Sequence, residues 1–273
     1  MISAPTLTKL AGIILGVLSL ASCATKPTGL PTPLPDRETR MEKGYLVYLD
    51  GAGGGTADNN WADGVKEGLL QAGYAGAGEM YSWETGEGLK TDQEASLEYK
   101  RSKALGAARH IEKYVADYPG KPIEVLGFSA GTAIGIFALE KLAPETKVDN
   151  LVLLGASISN NYDLTEALKH VRGKLYIFTT THDKMVGFFM KFTGTTDRKH
   201  DVDGADLHGF VLPPNANDET RKLYADKIVT IPWKEEMKKS GDRGRHFDNI
   251  KMEFIRDYVA PLLMGKTEAG LPD

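Results

Sequence analysis

The sequence predicts a single α/β domain: a mostly parallel sheet of about six strands with helices on both faces. Three observations predict it. From residue 45 onward, short apolar runs alternate with segments of helical periodicity. No internal repeat and no second composition regime divides the chain. At 273 residues the chain is long enough to bury one full-sized core. Strands that alternate with helices pair in parallel and are covered on both faces, and loops at their carboxyl ends gather function.

The elements follow in order. Residues 45–49 (YLVYL) read as a buried strand that runs into Asp50-Gly51-Ala52-Gly53-Gly54-Gly55. Trp61, Val65, Leu69 and Ala72 recur at helical spacing, and Gly73 caps that helix. Residues 79–83 form the next strand. Thr91 and Glu94 make a capping box for a helix that runs to Tyr118, where Pro119-Gly120 stops it. Residues 123–128 are a strand and 131–142 a helix. Strands at 151–154 and 175–179 flank a short helix near 164–171. The last strand is 228–231, and Asp248 caps a final helix with Ile250, Phe254, Tyr258 and Leu262 on one face.

The N-terminus has a different character. Lys9 precedes an apolar run over residues 10–20, and Ala21, Ser22, Cys23 and Ala24 follow. A basic residue, a short apolar run and then small residues describe a secretory signal. The run is about half of the ~20 residues needed to span a bilayer. Leu20-Ala21-Ser22-Cys23 looks like a bacterial lipobox, which implies cleavage before Cys23 and a diacylglycerol on its sulfur. Cys23 is the chain's one cysteine, so no intrachain disulfide forms. Ala24 stands where an inner-membrane retention aspartate is often found, which points to the outer membrane. Pro27, Pro31, Pro33 and Pro35 then favour an extended tether. The expected organisation is a lipoprotein signal peptide over 1–22, a lipidated N-terminus and Pro-rich tether over 23–43, the α/β domain over 44–265 and a C-terminal tail over 266–273. The formal net charge of −4 argues against a nucleic-acid partner.

Gly127-Phe128-Ser129-Ala130-Gly131 is a G-x-S-x-G pattern. A chain with 30 glycines meets such a pattern by chance often enough that context must decide. Here a strand leads in and a helix leads out. The chemistry needs that sharp turn to lift the serine hydroxyl clear of the sheet, and flanking glycines let the turn close. The helix N-terminus adds backbone N–H groups and positive dipole beside a reacting carbonyl.

On the elbow and the strand order, residues 45–263 resemble the α/β-hydrolase superfamily. The resemblance implies a single α/β-hydrolase-type domain with Ser129 as nucleophile. It places an oxyanion loop after the strand two before the elbow, which is Asp50 to Gly55, with the N–H groups of Ala52 and Ala130 as donors. Many members carry His-Gly where this chain has Asp50-Gly51. An inward carboxylate there would repel a developing oxyanion, so Asp50 is expected to turn away or to accept backbone bonds. The triad acid is expected after the strand at 175–179, which selects Asp183, with Asp163 in reserve. The general base is expected after the last strand, which selects His246. His110 and His170 lie in helices before the acid, His200 and His208 precede the last strand, and His182 adjoins Asp183.

These residues imply a membrane-tethered serine hydrolase that works through an acyl-enzyme, most simply on a small-molecule carboxylic ester or lipid ester. An inactive scaffold serving as an envelope lipoprotein and an amide hydrolase on the same triad are the alternatives. No metal and no organic cofactor is implied. Two other patterns compete with this reading. Gly51-Ala52-Gly53 with Glu84 sketches a dinucleotide site, but Thr56 spoils the third glycine. Asp201, Asp203, Gly204 and Asp206 hint at a calcium loop, with Leu212 where its last carboxylate belongs. Residues 186–221 are too long for a plain connection, and Phe188, Phe189, Met190 and Phe192 suit either an acyl pocket or lid, or a short buried helix.

Overall fold

A computed structural model of the chain describes residues 36–55, 61–184, 190 and 193–272. Cys23, the signal segment and the prolines of the tether lie outside the described residues, as do Thr56, Phe188, Phe189 and Phe192. Six strands form one sheet: β1 (Tyr45–Leu49), β2 (Ala77–Met80), β3 (Ile123–Phe128), β4 (Asn150–Leu154), β5 (Leu175–Thr179) and β6 (Ile228–Pro232). The spatial order is β2-β1-β3-β4-β5-β6, and every neighbouring pair is parallel. All six carboxyl ends therefore open on the same edge of the sheet.

Alternation along each strand builds two cores. Tyr45, Val47 and Leu49 of β1 join Val125, Leu151, Leu153, Leu175 and Ile177 in one. Against that face pack α4 (Leu97–Asp117), α5 (Ala130–Leu139) and α6 (Thr165–Lys169). Leu46, Tyr48, Leu126, Phe128, Val152 and Leu154 face the other way. That face is covered by α2 (Ala62–Gln71) and the C-terminal helix. Each of the five β1 residues is buried, which is why β1 reads as an unbroken apolar run rather than as an alternating one. α5 is buried at every position, and its sequence AGTAIGIFAL is accordingly apolar or small all round.

Several boundaries differ from the sequence expectation, each for a local reason. Residues 37–41, expected in the tether, form α1 (Arg37–Met41) on the domain. Arg40 Nη1 donates to the Tyr74 carbonyl at 2.8 Å and Tyr114 Oη to that of Met41 at 2.9 Å, so the folded domain begins before residue 44. β2 starts and ends earlier than 79–83. The helix expected from Thr91 to Tyr118 is two helices, α3 (Leu89–Glu94) and α4. Ala95 turns extended at ψ 142°, and Ser96 rather than Thr91 caps α4 by accepting the Tyr99 N–H at 3.0 Å. Asp248 lies in a 3₁₀ turn (Asp248–Ile250) instead of capping the last helix. That helix runs through Met252–Phe254, a π turn at Ile255–Val259 and Ala260–Leu263. Pro261 has no N–H for the carbonyl one turn back, and the widened turn lies just before it. The long connection after β5 holds α7 (Ala205–His208), and α8 (Asp218–Lys227) follows it, capped by Asn217 on the Thr220 N–H at 2.8 Å. Residues 268–270 of the expected tail form a further 3₁₀ turn. Among the described residues no helix is long and apolar enough to cross a membrane.

Candidate active site

The elbow is built from backbone constraints. Ser129 sits at φ 51°, ψ −122°, a conformation that costs a non-glycine residue about 1–3 kcal/mol. Its N–H reaches across to the Leu154 carbonyl at 2.9 Å, and its carbonyl accepts from Thr132 Oγ1 at 2.5 Å. The flanking glycines are required by contact. A Cβ on Gly127 would lie 2.7 Å from Thr132 Cα, and one on Gly131 would lie 2.1 Å from the Leu49 carbonyl oxygen. No side chain fits at either position, so α5 can start directly over the end of β1.

The structure brings together the three residues expected of a triad. Ser129 Oγ lies 2.9 Å from His246 Nε2, and His246 Nδ1 lies 2.6 Å from Asp183 Oδ2. Ser129 is half-buried, while His246 and Asp183 are buried at 5% and 4% exposure. Such a chain orients the imidazole with one nitrogen toward the hydroxyl and the other toward the carboxylate. Phe128 packs beside the imidazole with ring centroids 4.9 Å apart, and Phe247 meets it edge-on at 5.2 Å and 80°. Gly155, directly after β4, makes the space: a Cβ there would lie 3.0 Å from His246 Cε1.

The other candidates stand elsewhere. Asp163 lies just before α6, where its Oδ1 accepts from the Thr165 N–H at 2.9 Å and the Thr165 hydroxyl at 2.5 Å. His110 meets the Tyr45 hydroxyl at 2.5 Å, and His170 Nδ1 meets the Thr146 carbonyl at 2.8 Å. His182 stacks near Trp233 at 4.6 Å, and His200 and His208 are exposed. The calcium-like spacing does not assemble. Asp201 and Asp203 are exposed and Asp206 is fully buried, and among the described residues no three acidic, histidine or cysteine side chains are placed to hold a metal ion.

The loop after β1 is held rigidly. Gly53 N–H donates to Asp92 Oδ2 at 2.8 Å, and Trp83 Nε1 donates to the Asp50 carbonyl at 2.8 Å. Gly51 packs closely on Ser129: a Cβ on it would lie 3.1 Å from Ser129 Cβ. Asp50 does fold back onto the backbone. Its Oδ1 accepts from the Gly51 N–H and the Tyr48 hydroxyl, both at 2.8 Å. Among the described residues no acceptor takes the Ala52 N–H, and the Ala130 N–H opens α5, where helical N–H groups have no intrahelical partner. Burial pushes Asp50 up to about 7, against the pull of those two donors. Burial likewise raises Glu84 to about 7, and the Asp50 carboxyl adds to that rise.

Sequence reasoning missed several residues of this region. Asp92 pins the oxyanion-type loop, although nothing in its helical setting marks it. Asp206 is fully buried beside Asp183, with neither side-chain oxygen hydrogen-bonded among the described residues. Burial first and the Asp183 charge second raise it to about 8. Gly155 had a signal, a glycine at the end of a fully apolar strand.

No protein-family model matches the chain, and no curated protein does. Among solved structures, a dienelactone hydrolase from Anabaena variabilis aligns at 17% identity and TM-score 0.47, over 81% of this chain and 86% of its own. A lipase-esterase related protein from Clostridium acetobutylicum aligns at 11% identity and TM-score 0.43, over 85% and 97%. A puromycin-hydrolyzing peptidase from Mycobacterium tuberculosis aligns at 13% identity and TM-score 0.42, over 81% of this chain. The chain spans about a third of that peptidase's length, 34%.

Proposed function

We propose that this protein is a serine hydrolase of the α/β-hydrolase type that cleaves carboxylic esters through an acyl-enzyme. One observation carries the reading: the continuous line from Ser129 Oγ through His246 to Asp183, at 2.9 and 2.6 Å, with the serine at a helix N-terminus. In this mechanism Ser129 Oγ attacks the ester carbonyl carbon while His246 Nε2 takes its proton. The carbonyl π pair moves onto oxygen, and the N–H groups of Ala52 and Ala130 receive that oxyanion. Donors of this kind contribute about 3 kcal/mol each. Asp183 holds the tautomer and stabilises the imidazolium. Collapse then breaks the bond to the leaving oxygen, which takes the proton from His246. Water repeats the sequence on the acyl-enzyme, releasing the acid and restoring Ser129.

Labelling with a fluorophosphonate, together with turnover of p-nitrophenyl esters of graded acyl length, tests the proposal. Covalent labelling at Ser129 and ester turnover are the expected results. An unlabelled, folded protein inert to every ester in the series would leave only a scaffold role. The N-terminal sequence adds a location to the proposal: lipid on Cys23 would hold the domain at the outer membrane, at the end of the Pro-rich segment.

A further inference from the structure

Beside the nucleophile lies a pair of aromatic rings that the triad does not use. Trp61 stands at the start of α2, and its ring edge packs on the loop after β1. A Cβ on Gly51 would lie 3.2 Å from Trp61 Cζ3 and 3.1 Å from Ser129 Cβ, so the indole and Ser129 both pack closely on this glycine. Phe247 packs against that indole at a tilt of 51°, with centroids 4.9 Å apart. Both rings rest on buried Phe128, at 5.7 Å for Trp61 and 5.8 Å for Phe247. Trp61 is half-buried, and Phe247 keeps 37% of its surface exposed. One exposed phenylalanine needs no explanation. Two large rings fixed by mutual contacts, with Phe247 also against His246, form a surface of defined shape.

The side of the site to which this surface belongs follows from the chemistry. Phe247 is the residue after His246 and touches its ring edge-on. His246 Nε2 is the atom that returns the proton to the leaving oxygen. The group attached to that oxygen therefore leaves past the base, whose ring Phe247 touches and beside which Phe247 meets Trp61. An alcohol that fills this space buries carbon against carbon and offers the rings no polar partner.

We propose that Trp61 and Phe247 form the wall of a leaving-group subsite and select esters of apolar alcohols. This rests on the hydrolase reading and adds the substrate class to it. The alcohol leaves before the acyl-enzyme is hydrolysed. The wall therefore acts in acylation, and its effect appears in kcat/KM and not in a deacylation-limited kcat. Full burial of a methylene corresponds to about fourfold in rate, and one wall supplies part of that, roughly twofold.

The experiment keeps the acyl group constant. Ethyl, butyl and hexyl acetate are followed by acid release, beside a control series of ethyl esters with lengthening acyl chains. The alcohols differ little in acidity, so their length is the variable. The wild type should show kcat/KM rising about twofold per methylene of the alcohol, with kcat converging because all three esters pass through one acetyl-enzyme. Trp61→Ala and, as the more exposed site, Phe247→Ser should each flatten that slope. The slope in the acyl series should persist in both variants. A wild type indifferent to alcohol length overturns the subsite, as do variants that retain the slope or lose only the acyl slope. A wild type that hydrolyses no ester and takes no fluorophosphonate overturns the hydrolase reading and this inference with it, a result readily told apart from the others.

Discussion

Replacing Asp206 by asparagine should make the protein's stability less sensitive to alkali. Asp206 is fully buried, and neither of its side-chain oxygens is hydrogen-bonded among the described residues. Burial, then the charges of Asp183 and Asp203, raise it from 3.8 to about 8. In the unfolded chain it ionises near its ordinary value. Below that value both states carry the proton, and Asp206 adds no pH dependence. Between the two values the folded state holds a proton that the unfolded state has lost, so stability falls by about 1.4 kcal/mol per pH unit. Above about 8 the slope ends. From pH 5 to pH 9 the loss is on the order of 4 kcal/mol, a large part of the 5–15 kcal/mol that holds a typical domain. Asparagine has no proton to lose, so its curve lacks this term. The amide brings its own unmet hydrogen-bond demand, which is why the decisive quantity is the change with pH and not the difference at one pH. Guanidinium unfolding of both proteins at pH 5, 7 and 9 measures it. The Asp206→Asn variant should gain on the wild type by about 4 kcal/mol across that range, at equal m-value. Two curves parallel within about 1 kcal/mol would refute the protonated, buried state of Asp206.

Four further outcomes are expected. Ser129→Ala should abolish ester turnover, a loss of up to ~10⁶, with unchanged circular dichroism; appreciable retained activity would remove the serine from the mechanism. Burial raises Asp50 to about 7, so above that value it becomes anionic beneath the proposed oxyanion loop, kcat should decline as pH rises past 7, and Asp50→Asn should weaken that decline, with Glu84 supplying the rest. A pH profile with the same alkaline limb in both proteins contradicts it. Gly131→Ala would drive a Cβ to 2.1 Å from the Leu49 carbonyl oxygen, which should cost about 3 kcal/mol or more in thermal or denaturant unfolding, and a neutral result would mean that α5 does not abut β1 as described. Cys23→Ser should block palmitate incorporation in cells, and an unmodified wild-type chain starting after residue 23, by intact mass, would end the lipoprotein proposal.

The position of the candidate site is legible in the sequence because of a property of parallel sheets. When every strand runs the same way, the loop after each one opens at the same edge, whatever the packing in between. The strands, read together with the resemblance to the α/β-hydrolase superfamily, pointed to Asp50, Ser129, Asp183 and His246 as neighbours. The apolar runs at residues 45–49, 123–128 and 175–179 were readable because they are buried on both faces. The edge strand β2 was placed less well because its sequence, AGEM, has two half-buried positions and little apolar contrast. Where a side chain bonded a distant backbone group, periodicity misled. Asp92 sits inside a helical pattern, yet its carboxylate takes the Gly53 and Thr85 N–H groups, and the chain breaks just after it into α3 and α4. The same limit hid the burial of Asp206, read as part of a calcium loop, and the pairing of Trp61 with Phe247. The proposed triad residues lie in loops that follow strands, which order along the chain reveals. A residue that braces or walls the site can come from any element that passes nearby, and only the packed structure brings it there.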